Sequence, residues 1–231
     1  MAILKTSQGF TLIEIMLAIL IFGIVITTVM GSFNFVFSSI DVIDENIVAH
    51  EMAKSCMNRM AADLTAIHVT PRLKYTPSGH TGASDPDPYR FEGENEETQE
   101  GRFSTLRFTS HTHLPIGNTM PGGIAEIVYY VMDDGEGHHY LFRSDRIFFE
   151  DPLEESGQDP VLCEKIKSLS FTYIDQEGEE HESWNSENDE FDYSTPKAVD
   201  IRLEIGDESA SFFFNTMVPL PVFREKIEDK G

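Results

Sequence analysis

The chain has 231 residues, 40% hydrophobic and 25% charged, which is material for one ordinary domain and an appendage. Its 40 Asp and Glu outweigh 17 Lys and Arg, a formal net charge of −23. Phosphate backbones are bound by clustered Lys and Arg, so no nucleic-acid partner is expected of so acidic a chain.

The first nine residues are weakly basic, with Lys5 the one charged side chain among them and Thr6, Ser7 and Gln8 polar after it. From Phe10 to Ile40 the only charged residue is Glu14. That run exceeds the roughly 20 apolar residues that cross a bilayer core. A secretory signal's apolar core is shorter, about 7–15 residues, and ends in a small-residue cleavage site. Here the nearest candidate, Gly31-Ser32, leads into more Phe and Val. Residues 10–40 therefore read as a transmembrane helix. With Lys5 before the span and Asp41, Asp44 and Glu45 after it, the N-terminus is expected in the cytoplasm and the remainder outside.

Lys5-Thr6-Ser7-Gln8-Gly9-Phe10-Thr11-Leu12-Ile13-Glu14 sets a basic leader, a glycine, a phenylalanine and an apolar helix with a carboxylate in its first turns. This stretch resembles the prepilin leader of type IV pilins and type II secretion pseudopilins. The resemblance implies that a membrane prepilin peptidase recognises the leader with Lys5, cuts after Gly9 and methylates the new amine of Phe10. A glycine before the scissile bond has no side chain to obstruct the peptidase. Glu14 carries a separate argument. A carboxylate within a membrane helix costs roughly 2.5–3.5 kcal/mol, so it needs compensation. The helix N-terminus favours an acidic group through the macrodipole. The resemblance adds a partner, the terminal amine of an adjacent subunit, which makes Glu14 an assembly residue. A snorkelling Glu without a role is the plainer alternative.

Helical character continues over 41–70 as an amphipathic stalk. Ala53, Met57, Met60, Leu64 and Ile67 repeat at steps of four and three, one apolar face that would pack on a sheet, with polar Asn58, Arg59 and Asp63 off it. Thr70-Pro71 stops the helix. Residues 71–101 are acidic and rich in Pro and Gly, including Asp85-Pro86-Asp87-Pro88 and Glu92-Gly93-Glu94-Asn95-Glu96-Glu97, and read as a long loop between stalk and head.

Residues 102–223 read as a β-rich head. Strands are expected at 103–109, 124–132, 140–143, 166–174, 198–205 and 210–218, with a short one at Ile147-Phe148-Phe149. Turns are marked by Asp133-Asp134-Gly135, by Asp175 to Gly178 and by Gly206-Asp207. In 198–205, Val199, Ile201, Leu203 and Ile205 alternate with Asp200, Arg202 and Glu204, the pattern of a half-buried strand. Residues 224–231 form a charged tail expected to fray. One long helix followed only by strands makes the fold class α+β, a helix packed on a mainly antiparallel sheet.

Pieces of the head are similar to the J-type minor pseudopilin of type II secretion. They are Leu162 to Ile174 followed by Asp175, Gly178 and Trp184, then Pro196-Lys197-Ala198-Val199, with Met60-Ala61-Ala62-Asp63-Leu64 and Tyr140-Leu141-Phe142-Arg143. The insert around Glu92 and the stretch Ser183 to Tyr193 depart from a compact head. The resemblance implies a pilin-like fold, a place in the inner membrane with a periplasmic head, and I-, K- and H-type minor pseudopilins as neighbours at a filament tip. It implies a structural subunit, with no cofactor and no catalytic role. A minor pilin of a type IV pilus shares leader and stalk and stands as the alternative; a membrane-anchored binding protein is the third reading.

No nucleophile–base motif or phosphate loop is recognisable. His111-Thr112-His113 offers two imidazoles on one strand face but no third ligand nearby. His138-His139 beside Asp133-Asp134 reads as turn histidines. The cluster Glu187, Asn188, Asp189, Glu190 and Asp192 lacks an EF-hand's spacing and reads as a solvated acidic loop. No metal site is assigned. Cys56 and Cys163 both fall on the exported side. A disulfide between them would tie stalk to head, and two separately buried thiols fit the sequence as well.

Overall fold

The computed structural model describes residues 11–70, 87–98, 101–114, 123–147, 159–206 and 211–226, with the backbone alone for 34–46. The chain divides into two compact units, residues 1–48 and 49–231. Helix α1, Leu12–Thr65, contributes to both.

In the first unit, Leu12–Phe33 is long and apolar enough to cross a membrane. Its large side chains, Ile13, Phe22 and Phe33 among them, are exposed all round the helix. The few polar side chains here are satisfied without a partner chain. Thr27, Thr28 and Ser32 return their hydroxyls to the carbonyls of Gly23, Ile24 and Thr28 at 3.0 Å. This back-bonding is the way a helix carries hydroxyls where water is scarce.

The second unit is the last part of α1 packed on a sheet, the α+β arrangement expected. The strands are β1 Glu92–Glu97, β2 Arg102–Ser110, β3 Ala125–Asp133, β4 His139–Arg146, β5 Val161–Cys163, β6 Ile166–Ile174, β7 Glu180–His181, β8 Trp184–Asn185, β9 Ala198–Gly206 and β10 Ser211–Pro219. The main path runs β10-β9-β6-β2-β3-β4-β5. Pairing is antiparallel except where β2 meets β6, a parallel contact at Phe103 and Leu169. The hairpin β3–β4 turns through Gly135 and Gly137, both at positive φ, with the Asp133 carboxylate accepting from the Gly135 amide at 2.7 Å.

The helix stripe forms the core with the inner face of the sheet. Ala53, Cys56, Met57, Met60 and Leu64, with Ile67 just past the helix end at Thr65 and bridged to Ser110 instead of lying on the helix as expected, are buried against Leu106, Phe108, Tyr129, Leu141, Phe171, Val199, Ile201 and Leu203. The end of α1 is tied to the end of β2. Ser110 donates its hydroxyl to the Asp63 and Ala66 carbonyls at 2.8 and 3.1 Å, and the His68 amide donates to Thr109 O at 2.8 Å. The Ser110 bonds satisfy carbonyls that a helix C-terminus leaves open.

Four further expectations are corrected. Part of the acidic loop, Glu92–Glu97, is the strand β1, paired with β2 from Glu92 opposite Arg107 to Glu97 opposite Arg102. Its charge is matched by arginines: Arg90 and Arg107 lie 3.5 and 3.7 Å from Glu92, and Arg102 lies 3.8 Å from Glu97. Asp63, expected off the apolar stripe, is fully buried. Arg224, expected in a frayed tail, is buried: its guanidinium reaches Asp87 Oδ2 and Ser186 O, each at 3.0 Å. The stretch 183–193 is part of the packed head, because Trp184 stacks on Phe191 at 4.3 Å and donates its indole N–H to Ser194 O at 3.0 Å. Residues 71–86 of the expected loop, and Phe148 and Phe149 of the expected short strand, lie outside the described residues.

Candidate functional site

The first turn of α1 is built around Glu14. Thr11 stands at the helix N-cap: its hydroxyl oxygen accepts from the Glu14 amide at 3.4 Å. The Glu14 carboxylate reaches back and accepts from both the Thr11 amide and the Thr11 hydroxyl at 3.0 Å. Thr-x-x-Glu with reciprocal bonds is a capping box. The sequence signal for it is Thr11-Leu12-Ile13-Glu14, a Thr followed three residues later by a Glu at the start of an apolar run. The carboxylate is exposed and keeps acceptor capacity for a further donor. Lys5, Gly9 and Phe10 lie outside the described residues.

A buried ionic cluster joins α1 to β3 and β4. Asp63 accepts from Arg143 Nε at 2.6 Å and from the Tyr129 hydroxyl at 2.5 Å, and Arg59 Nη2 lies 2.8 Å from its other oxygen. Arg143 Nη1 reaches Asp145 at 2.7 Å, and Asp145 also binds His113 Nδ1 at 2.7 Å and the Leu114 amide at 2.8 Å. Burial alone would lower the Arg143 pKa, but the bonds to Asp63 and Asp145 outweigh it and hold the guanidinium charged. Burial, then the Asp63 charge and hydrogen bond, push the Tyr129 phenol far above its ordinary value. His113 with Asp145 has the form of an oriented base. Among the described residues its Nε2 is buried without a hydrogen-bond partner. The cluster is a structural clasp.

The histidines of His111-Thr112-His113 go to different places. His113 binds Asp145, while the His111 ring packs edge-on to His68 at 5.1 Å. Burial, then His111, lowers the His68 pKa and favours the neutral ring. At the β3–β4 turn, Asp134, Glu136 and His138 each offer a ligand atom within 4.8 Å of the others. That geometry is already explained by the turn: Asp134 accepts from the amides of Glu136 and His138, from His138 Nδ1 and from the Tyr140 hydroxyl. His139 leaves the group and stacks on Phe103 at 4.3 Å. In the acidic stretch, Glu187 accepts from the Asp87 amide at 2.6 Å and Asn188 caps a short 3₁₀ turn, Asp189–Phe191.

Cys56 on α1 and Cys163 on β5 are brought together. Both are free thiols in the core, and they hydrogen-bond to each other. That bond, then burial, pushes the Cys56 thiol up.

Comparison with known families returns two adjoining matches. The family model for type II secretion system protein J matches residues 31–212. The model for the prokaryotic N-terminal methylation motif matches residues 4–30. Among curated proteins no match is found. Among solved structures, a type IV-like pilin from Thermus thermophilus is similar at 9% identity and a TM-score of 0.41, over 74% of this chain and 96% of the other.

Proposed function

The chain belongs to the type II secretion system protein J family, and from that membership we propose that this minor pseudopilin sits at the tip of a short periplasmic filament and supports export of folded proteins. The role is structural and not catalytic. The observation that carries the proposal is the adjoining of the methylation motif at residues 4–30 and the J-family match at 31–212.

The N-terminal residues then have assigned tasks. Lys5 marks the leader for the prepilin peptidase, which cuts between Gly9 and Phe10 and methylates the Phe10 amine. The span holds the mature chain in the inner membrane, N-terminus toward the cytoplasm and head in the periplasm. Glu14 pairs with the terminal amine of a neighbouring subunit. I-, K- and H-type minor pseudopilins are the neighbours this membership supports. The α1 stripe is occupied by the chain's own sheet, so these contacts use the membrane helix and the outer surfaces of the head.

Intact-mass analysis of the membrane protein made with and without active prepilin peptidase tests the reading. The expected mature chain starts at N-methylated Phe10. A chain starting elsewhere, or one unaffected by the peptidase, overturns it.

A further inference from the structure

We propose that Cys56 and Cys163 are joined by a disulfide in the exported protein, a covalent staple between α1 and β5. The proposal rests on the periplasmic placement of the head, since an exported compartment permits the bond.

The geometry singles out this pair. The chain has two cysteines, so neither has another partner within it. They stand on elements far apart in sequence, α1 and β5, yet occupy one core at 2% and 0% exposure and already touch through their thiols. Sulfurs in hydrogen-bonding contact lie further apart than the ~2.05 Å of a disulfide, so the proposed bond requires the two side chains to close that gap.

The location gives the bond something to hold. Strand β5 is three residues long and meets β4 in register only at Leu141–Cys163 and Phe142–Val161, with a bulge between. One further backbone bond, Arg143 N to Pro160 O at 3.2 Å, supports it. Strand β5 also ends the sheet, and a short edge strand is the first to open. A disulfide fixes it to the helix and closes a loop of roughly 100 residues, a length at which the constraint on the unfolded chain is large. Helix α1 also carries the membrane span, so the staple lets a pull on the helix reach the sheet without peeling the Met60–Leu64 stripe away.

The chemistry is thiol–disulfide exchange with the disulfide of an exported thiol oxidase, before the core closes. One cysteine thiolate attacks a sulfur of the oxidase disulfide, forming a mixed disulfide and releasing one oxidase thiolate. The second cysteine thiolate attacks the chain's own sulfur in that mixed disulfide and releases the other. The chain loses two protons and two electrons, and the oxidase disulfide becomes a dithiol.

The test takes the full chain in its native membranes, quenches it in acid, denatures it and treats it with a maleimide-linked polyethylene glycol. Expected are no adducts before reduction and two after. A melting scan of the purified full chain in detergent should drop by several degrees with reductant, and Cys56→Ala/Cys163→Ala should match the reduced chain and ignore reductant. If the double variant does not fold, the wild-type comparison still stands. Protease added outside spheroplasts separates the premises. Two adducts without reduction in a head that protease reaches overturn the disulfide alone. Two adducts in a protected head overturn both the disulfide and the periplasmic placement.

Discussion

Arg143 donates its Nε–H to Asp63 at 2.6 Å, across 80 residues of sequence, with both side chains almost wholly buried. An isolated carboxylate in that position would be prohibitive. It is tolerated because Arg59, Tyr129 and Arg143 surround it. Removing one partner leaves an uncompensated buried charge, at a cost of about 3–5 kcal/mol. Arg143→Met and Asp63→Asn are each expected to destabilise the head by that amount in denaturant titrations of the full chain in detergent. Asp63→Asn/Arg143→Met should lose less than the sum of the two single changes, because no orphaned charge remains between them. Additive losses would show that the two residues act independently.

Acid should loosen the same clasp. Burial alone would raise the Asp145 pKa, but the hydrogen bonds from Arg143, His113 and the Leu114 amide win and hold it below the ordinary value. A carboxylate with a depressed folded pKa contributes stability above its unfolded pKa, near 3.9, and loses it as pH falls through the folded value. Stability is therefore expected to hold down to about pH 4 and to fall below it. Asp175 adds to this limb: its burial is outweighed by bonds from Glu179, His181, Glu177 and Gly178. Asp145→Asn should be less stable at neutral pH and show a shallower acid limb, read from urea midpoints at several pH values. An acid limb of unchanged slope would remove Asp145 from the explanation.

Gly93 is required by a neighbour. A Cβ there would run into the hydroxyl and ring end of Tyr173, which is fully buried. Gly93→Ala should cost about 1–3 kcal/mol through overpacking. Adding Tyr173→Phe should recover part of the loss, because the Tyr173 hydroxyl is the closest contact and has no hydrogen-bond partner among the described residues. A Gly93→Ala chain that melts like wild type would show that the Tyr173 ring can move aside.

What could be read from sequence was what has a local period. The stripe Ala53, Met57, Met60, Leu64 follows the helix repeat, and Val199, Ile201, Leu203, Ile205 follow the strand repeat; both face the core. Strand β1 was not legible, because Glu92–Glu97 has the composition of a loop and its matching arginines come from Arg90 and the neighbouring strand. Asp63 and Arg224 look like surface residues until Arg143 and Asp87 reach them from distant parts of the chain. Polarity reports what a side chain costs to bury. It does not report whether a partner will arrive.

Glu14 has one observed task, an intrachain cap, and one proposed task, a charge for a neighbouring subunit. The cap is visible: its carboxylate closes a box with Thr11. Gln can fill the same position in a capping box, so Glu14→Gln keeps the cap and removes the charge. Glu14→Leu removes both. Neither should impair insertion, since an expensive group is taken out of an apolar segment. If the charge serves assembly, both variants should weaken crosslinking to the other minor pseudopilins and reduce secretion at normal protein level, because the neighbour's terminal amine is left without its counter-charge. If the cap alone matters, Glu14→Gln should behave as wild type and only Glu14→Leu should fail. Crosslinking in membranes, with the three chains compared at equal abundance, decides between them. A Glu14→Gln chain that crosslinks and secretes as well as wild type ends the pairing with the amine and leaves Glu14 as a helix cap.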